Sequence, residues 1–496
     1  MQENSRSWKR PQPTPGRLAA LLIAALSPLA AQDDITTQSG PSALNGAWIT
    51  GPASNPLSFL NGPAYRSFGS RAPYDFPDLR PATRLDESLP HWITFGLEER
   101  FRFESYHHAG FKPDNNDSYL LNRFRLQMNI QLSRGFKLVS QVQDSRPFFQ
   151  KPPVGPPNEN RWDLKLAYAE LGDPEKHWIS LRIGRQLINY NNTLIANSEW
   201  RNQARSYDAA VANLRSGRYR LGIFAASVVT PLDSGISHHQ EGNNLYGLYG
   251  GIDRILPSST LEPFVLWRVQ PTIAIEAAGV RTGRQNEKAY GFRLKGQPAR
   301  NLDYSWQMVL ERGSDGPNGI RAWGATGGAA YRFDSLPWHL RPFTQFDFAS
   351  GDKSPADGIH GTFDTMYPTA HDRLGILDLF GWQNLRAARG GLTVEPRHRW
   401  TFTAQYHDFW LASGTDALYN SSGGVIVRDL NARSGNHVGE EVDVFTWYEL
   451  NRHVNVGAGF GHLMPGAFLS SNTRGPSYSS PYFAINFKDS GRSNSH

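Results

Sequence analysis

The sequence predicts an all-β protein, a transmembrane antiparallel β-barrel with a wet interior. The first observation is two-residue alternation in the segments Trp92–Glu104 and Leu120–Leu132. Successive side chains of a strand point to opposite faces, so each segment has one apolar face and one polar face. The polar faces are long and rich in arginine, which favours strands with lipid on one side and water on the other over strands of a soluble sandwich.

The second observation is what the composition excludes. The mean hydropathy is −0.51, and beyond the N-terminal region no apolar run has the length of a transmembrane helix. A barrel is still allowed, because only every second residue of its strands faces lipid. The chain has no Cys, which removes disulfides, thiolate catalysis and thiolate metal sites. A closed barrel has no free edge and can be held by strand pairing alone.

The N-terminal residues 1–31 are predicted to be a signal peptide. Basic residues precede the apolar run Leu18–Leu29, and Ala30 and Ala31 follow it. Removing the four basic residues and one acidic residue of this segment lowers the formal charge from +6 to about +3, which gives no indication of a nucleic-acid partner. Residues 32–90 are rich in Pro, Gly, Ser and Asn, which predicts an irregular extension, either ordered at the barrel or a linker.

Residues 91–487 are predicted to form the barrel. Dividing roughly 400 residues by 18 strands leaves about 22 for each strand and its turn, which suits strands of about ten residues. We therefore predict 18 strands, with 16 as the alternative. The alternating segments are Trp92–Glu104, Leu120–Leu132, Phe136–Gln143, Trp178–Gln186, Tyr219–Ser227, Leu245–Arg254, Leu261–Val269, Tyr290–Lys295, Asp303–Glu311, Gly324–Phe333, Leu340–Phe348, Leu374–Asn384, Gly391–Glu395, Trp400–Leu411, Val442–Leu450, Val454–Leu463 and Tyr482–Phe487.

The segments between the strands and after the last strand indicate orientation and location. The last strand alternates Phe483, Ile485 and Phe487 with small or polar residues, as expected of a barrel assembled into an outer membrane, and a polar tail, residues 488–496, follows. We expect a monomer surrounded by outer-membrane lipid. The predicted extracellular loops are Gly110–Asp117, Gly313–Gly319, Ser350–Met366 and Gly414–Gly439.

Basic residues on the inward parity are the candidate pore lining. Rings of Arg or Lys in a pore favour anions, so these side chains predict binding of anionic substrates. The alternative is that they pair with inward carboxylates across strands and fill the interior. The basic residues are Arg100, Arg102, Arg123, Arg125, Arg182, Arg293 and Lys295, and the carboxylates are Glu98, Glu104, Asp303, Glu311, Glu441, Asp443 and Glu449.

Several blocks of the barrel region occur in a recognisable order: Gln143–Arg146, Ala167–Leu171, Gly184–Gln186 with Asn189–Tyr190, Leu194–Ile195, Trp200, Arg205–Ala209, and Gly457–His462 with Pro465–Gly466. Over about residues 92–487 this arrangement resembles the alginate export family of barrels. The resemblance implies an 18-stranded outer-membrane barrel whose narrow, arginine-lined lumen passes an anionic uronate polymer, with periplasmic export-scaffold proteins as partners.

Residues within these blocks are further candidates. The resemblance marks Arg185, Arg205 and Asp208 as motif residues, with Asp208 expected to pair with a neighbouring arginine. The chain departs from the family pattern at Asn191 and Thr193, where the family tends to carry Gly and Arg, and such a change in the lining would alter the cargo while leaving the fold intact.

Enzyme signatures are missing from the sequence. It has no G-x-S-x-G, H-E-x-x-H or phosphate-binding Gly loop, and the Asp-rich segment Gly351–Asp364 lacks the spacing of a calcium loop. His407 and Asp408 suggest a catalytic pair, but neighbours in a strand point to opposite faces. We therefore predict no catalytic residue, cofactor or metal, and an outer-membrane channel that passes an acidic polysaccharide, its oligomers or small anions. A general small-solute porin and a barrel-embedded hydrolase are the alternatives.

Overall fold

The fold is known from a computed structural model that describes residues 89–155, 158–174, 176–190, 193–271, 283–369, 371–451 and 453–489. The predicted signal peptide and nearly all of the predicted extension lie outside the described residues. So does the predicted tail, apart from Lys488 and Asp489, which belong to the last strand. Among the described residues, no helix has both the length and the apolar character needed to cross a bilayer.

Eighteen antiparallel strands close into one barrel, as predicted from the alternation. The first half contains β1 Ile93–Tyr106, β2 Asp117–Ser133, β3 Phe136–Phe148, β4 Asn160–Leu171, β5 Ile179–Gln186, β6 Tyr207–Ser216, β7 Tyr219–Thr230, β8 His238–Asp253 and β9 Ser259–Gln270. The second half contains β10 Gln285–Ala299, β11 Leu302–Asp315, β12 Asn318–Tyr331, β13 Arg341–Ala349, β15 Leu385–Arg397, β16 Trp400–Leu411, β19 His437–Glu449, β20 Val454–Pro465 and β21 Tyr478–Asp489.

The remaining elements are short and lie between barrel strands: β14 Ile359–His360, β17 Ala417–Tyr419, β18 Val425–Arg428, the helix α1 Ala467–Asn472, and single 3-10 turns at Ala109–Phe111 and Pro337–His339. The barrel closes where β1 pairs with β21, from Leu97 opposite Asp489 to Glu104 opposite Tyr482. Closure leaves no strand with a free edge, which is required of a sheet in lipid.

The two ends of the barrel differ in the length of their connections. At one end, here called the short-turn end, two-residue turns such as Arg134–Gly135 and His398–Arg399 join the strands. At the other, the long-loop end, the connections include Leu187–Ser206, Ser350–Asn384 and Ala412–Asn436. Outer-membrane barrels have short turns on the periplasmic side and longer loops outside, which orients the barrel.

Three predicted loops lie in long connections, and the fourth was wrong. Gly313–Gly319 is not a loop, because β11 and β12 continue through it and meet at a tight turn of Gly316 and Pro317. Gly316 has a φ of 55°, a conformation that glycine adopts at no steric cost. A cluster of turn residues therefore marked the position of this turn but not its length.

The predicted strand Leu374–Asn384 was also wrong. This segment lies in the connection between β13 and β15, and its apolar side chains Leu374, Phe380 and Trp382 are buried within the barrel. Strands β4 and β6 were missed, β4 because a register shift near Lys165 breaks its alternation and β6 because it is mostly alanine and small residues.

Side-chain facing follows the predicted parity. On β2, Arg123, Arg125 and Gln127 point inward and are buried, while Leu126 and Met128 alternate with them on the outer face. Large aromatic side chains are exposed near both ends of the barrel, where bilayer interfaces favour them: Trp162, Trp178 and Trp306 are 59%, 70% and 60% exposed.

This parity predicts a labelling pattern for single cysteines in a chain that has none. Asn129 points inward near the short-turn end and is partly exposed, whereas Ile130 faces outward. In liposomes, a membrane-impermeant thiol reagent should label Asn129→Cys and spare Ile130→Cys. The reverse pattern would mean a one-residue slip in register, which turns every side chain to the other face.

Candidate functional site

The barrel lumen is occupied by three loops that fold inward from the long-loop end: loop A, Leu187–Ser206; loop B, Ser350–Asn384; and loop C, Ala412–Asn436. Loops A and B join in a short parallel ladder, in which the Ala196 N–H donates to the Tyr367 carbonyl over 2.8 Å and the Tyr367 N–H donates to the Leu194 carbonyl over 2.9 Å. Loop A meets loop C where the Arg201 guanidinium donates to the Ser422 hydroxyl over 3.0 Å.

Arginines of β1 and β2 hold loop A by its backbone. The Arg100 guanidinium donates to the carbonyls of Glu199 and Arg201, both over 2.9 Å. Arg123 donates to the same Glu199 carbonyl over 3.0 Å. Arg102 donates to the Trp200 carbonyl and lies 3.9 Å from the centre of that ring. Guanidinium groups of the inner face therefore fix the loop.

Carboxylates offset part of the charge of this arginine cluster. Glu199 of loop A lies 2.8 Å from Arg125 and 3.3 Å from Arg123, and Glu98 of β1 contacts the same two guanidiniums. Burial raises the pKa of Glu199, but Arg125, Arg123 and Lys165 together lower it below its ordinary value. Glu199 is therefore ionised at neutral pH and neutralises part of the positive charge.

Loop B is held by carboxylates of the strands as well as by their cations. The backbone N–H groups of Ile376 and Leu377 donate to Asp443 and Glu441 over 3.2 and 3.1 Å. Asp372 lies 2.8 Å from Arg389. These contacts tie loop B to β15 and β19.

Arg268 of β9 forms a second attachment for loop B. Its guanidinium contacts Asp364 of the loop and lies 2.6 Å from Glu287 of β10. Burial raises the pKa of Asp364, but the attraction of Arg268 outweighs this effect, so the pKa lies below its ordinary value. Glu311 accepts the Asp364 backbone N–H over 2.9 Å. Two carboxylates thus contact one guanidinium, and a third carboxyl group, that of Glu311, contacts the backbone of loop B beside them.

The other predicted lining residues, Arg182, Arg293 and Lys295, lie toward the short-turn end. Arg293 and Lys295 of β10 share Glu262 of β9, at 2.5 and 2.6 Å. Arg182 of β5 shares Glu170 of β4 with Lys137 of β3, whose ammonium is 3.0 Å from the carboxylate. We call these two clusters the cation triads, because each joins two cations and one carboxylate.

The charge of the inner face therefore differs along the barrel axis. Each cation triad has one basic group more than it has carboxylates, while the cluster around Arg268 has more carboxyl groups than basic groups. Two other pairs near the short-turn end, Arg220 with Asp253 and Arg341 with Asp303, are balanced. The short-turn half thus has an excess of cations in its two triads, which the Arg268 region lacks.

The motif residues lie where β5, β6 and loop A meet. Arg185 and Asp208 form a bidentate pair at 2.8 and 3.1 Å, and Arg185 also donates to the Ser237 carbonyl over 2.7 Å. Arg205 donates to the Tyr367 carbonyl over 2.7 Å, which links loop A to loop B. These contacts bear on architecture, and a role in substrate binding stays a prediction for these residues.

The suggestive pair His407 and Asp408 is divided between the two faces of β16. His407 points inward, with its Nε2 atom 3.5 Å from Asp443. Asp408 points outward and contacts His437 over 3.0 Å. The two side chains therefore cannot act together on one substrate.

Sequence reasoning missed that the loops fill the lumen, and it missed several partners of the cations. Glu199, Lys137 and Glu262 were not singled out, although Lys137 and Glu262 have the inward parity of their strands. The apolar pair Leu194–Ile195 inside a long polar connection was the available signal that loop A is buried.

The attachment of loop A leads to a prediction for Glu199→Gln. Removing one partner of a buried ion pair should lower the free energy of unfolding by about 3 kcal/mol, because Arg125 keeps its charge with less compensation. Glu159→Gln is the matched control, since its partner Arg161 is largely exposed and such pairs contribute at most about 1 kcal/mol. Unfolding of the vesicle-embedded proteins in guanidinium chloride measures both losses of free energy. Equal losses would contradict the assignment.

The same contact predicts a pH dependence. The pKa of Glu199 is lower in the folded protein, so its contribution is complete above the ordinary value of 4.5 and is lost as the pH falls through the lower, folded-state value. The stability difference between the unmodified protein and Glu199→Gln should therefore narrow on acidification. A difference that stays constant to low pH would oppose this account.

Comparisons with known proteins agree with this architecture. A model of the alginate export family matches residues 91–483. Among solved structures, the fold is similar to that of Pseudomonas aeruginosa OccK11 (OpdR), with 10% identity, a TM-score of 0.52 and coverage of 83% of this chain and 97% of that one. For Pseudomonas aeruginosa OpdO the identity is 12%, the TM-score is 0.55, and the match covers 81% of this chain and 98% of that one. For Acinetobacter baumannii OccAB2 the identity is 12%, the TM-score is 0.53, and the match covers 79% of this chain and 97% of that one.

A search of curated proteins finds no match. At these identities the structural similarities concern the fold, which is that of outer-membrane porins. The family match and the fold together indicate a non-enzymatic transport channel of the outer membrane. Because the family model covers most of its length, the chain belongs to the alginate export family.

Proposed function

We propose that the channel passes anionic solutes, and that its substrate is an acidic polysaccharide of the alginate-like uronate class or its oligomers. The observation that carries the proposal is the pair of cation triads at the short-turn half. They stand on two separate parts of the wall, on β3 to β5 and on β9 and β10. An anion entering from the periplasm would meet excess positive charge first.

The strength of this attraction suits passage. A pair of unit charges about 4 Å apart is worth about 4 kcal/mol at an effective dielectric of 20 and about 1 kcal/mol in bulk water. Each triad already contains a carboxylate, so a uronate would compete with Glu170 or Glu262 for its cations. Contacts of this strength attract a polyanion and still release it.

The exposure of each side chain determines which cations a solute can contact. Arg293 and Lys137 have side chains 16% and 15% exposed, whereas the arginines that hold loop A are 1 to 2% exposed. Contact with substrate therefore falls mainly to Arg293 and Lys137, with Arg182 and Lys295 positioning the shared carboxylates. The loops that fill the lumen favour an extended chain or a small ion over a bulky solute.

A general small-solute porin is the second candidate. It is favoured by the balance of charge at mid-height, where Glu98 and Glu199 neutralise much of the charge of Arg123 and Arg125. A channel of that kind would conduct small ions with little preference and would not distinguish uronate oligomers from neutral ones.

The experiment uses planar bilayers under a KCl gradient. The unmodified channel should prefer anions, the preference should fall with salt because screening shortens the range of the charges, and uronate oligomers should block current more than neutral oligomers. Lys137→Gln with Arg293→Gln should reduce the anion preference and the uronate block. Arg146→Gln is the matched control, since Arg146 lies on β3 with Lys137 but on the outer face and is 40% exposed.

The outcomes separate the two candidates. Anion preference with selective uronate block, lost in the double variant and retained in the control, supports the polyanion channel. Cation preference, or conduction indifferent to uronate, leaves the general porin. Equal effects of Arg146→Gln and the double variant would mean that the triads are not the contact site.

A further inference from the structure

A cluster of metal-ligating side chains lies on the outer face of the barrel, away from the lumen. Asp408 of β16 and His437 and Glu440 of β19 each direct one donor atom into a space where the three atoms lie within 4.8 Å of one another. The Nε2 atom of His437 is 3.0 Å from Asp408. All three residues are partly exposed at the long-loop end of their strands.

A β-bulge brings the histidine to this face. Phe409 lies opposite Gly439, but the next residue, Trp410, lies opposite His437, so Val438 is the extra residue. Without the bulge, His437 would share the inward parity of Glu441 and Asp443. Bulges often redirect a side chain in this way and are common next to functional sites.

Glycine is required at the bulge. Gly439 has a φ of 154°, and a Cβ atom added there would lie 2.5 Å from the Met464 carbonyl oxygen. The ring of His437 is also constrained, because it packs against Trp410 with 5.9 Å between ring centres. The backbone and a neighbouring ring therefore hold the imidazole with its Nε2 atom beside Asp408.

The charges of the cluster lack compensation by Lys or Arg. Asp408 and Glu440 are directly opposite in the register of β16 and β19, where like charges repel. Among the ion pairs of the described residues, Asp408 pairs with His437 alone and Glu440 pairs with no Lys or Arg. A cation bound between the two carboxylates would remove this repulsion.

We propose that Asp408, His437 and Glu440 bind a divalent transition-metal ion of the Zn²⁺ class. One imidazole nitrogen and two carboxylate oxygens are a ligand set that Zn²⁺ accepts, with its fourth position open toward the outside. Ca²⁺ and Mg²⁺ prefer ligand sets made of oxygen and gain nothing from the imidazole that the bulge delivers.

The position of the site gives the metal a structural consequence. Asp408 lies near the end of β16, before loop C, and His437 follows loop C directly. An ion held by both would tie together the two ends of loop C, whose Ser422 contacts Arg201 of loop A. Metal binding should therefore restrain the loops at the long-loop mouth.

The test measures Zn²⁺ binding to the refolded, full-length protein in detergent by isothermal titration in chelator-free buffer. The unmodified protein should bind one ion at this site, and Ca²⁺ should not displace it. His437→Ala and Glu440→Gln should each weaken binding by more than the roughly 10- to 100-fold that loss of an outer hydrogen-bond partner causes. Zn²⁺ should also slow proteolysis of loop C in the unmodified protein and not in the variants.

The matched control is His239→Ala. His239 lies 2.9 Å from Asp208 on the outer face, as His437 does from Asp408, but there Arg185 supplies the positive charge in place of a second carboxylate. Zn²⁺ binding that survives His437→Ala, or falls equally in His239→Ala, would overturn the proposal, as would displacement by Ca²⁺. Heat-dependent gel migration verifies that each variant forms the barrel.

Discussion

The need to pair buried charges inside the barrel determines how the rest of the structure is arranged. The inner face carries guanidinium and carboxylate groups that cannot remain without partners once loops exclude water from them. Arg100, Arg102 and Arg123 obtain these partners from backbone carbonyls of loop A, and Arg125 from its carboxylate Glu199. The charged wall and the loops therefore stabilise each other, and the barrel alone would not leave these side chains satisfied.

This pairing also separates two roles that a count of arginines would merge. Cations used to hold loop A are buried and bonded to the loop, so a solute cannot contact them. Cations in the triads outnumber their carboxylates, so their excess charge reaches the lumen. The same constraint applies beside Arg268, where the backbone N–H of Asp364 is a partner of Glu311. Selectivity then depends on which cations a solute can reach, and these are not at the place where arginine is most abundant.

The sequence predicted what is local and missed what joins distant segments. Two-residue alternation gave 16 of the 18 barrel strands and the inward parity of Arg123 and Arg125, because facing in a strand depends only on position. It could not distinguish the alternating segment Leu374–Asn384 from a strand, since burial inside a filled barrel produces the same pattern as contact with lipid. It also could not find Glu199 as the partner of Arg125, which is 74 residues away in the chain. The bulge at Val438 could not be predicted from the sequence either, because it depends on the register between β19 and β16.

The central claim is that loop A is folded against the inner face of β1 to β3, and a disulfide trap tests it most directly. The Ser145 hydroxyl of β3 donates to the Asn202 carbonyl over 3.1 Å, and both residues are fully buried. In a chain without native Cys, Ser145→Cys with Asn202→Cys should form a disulfide in intact outer membranes, whereas Ser140→Cys, on the outer face of the same strand, should not cross-link to position 202. Free thiols at positions 145 and 202, both open to a water-soluble reagent, would contradict the account.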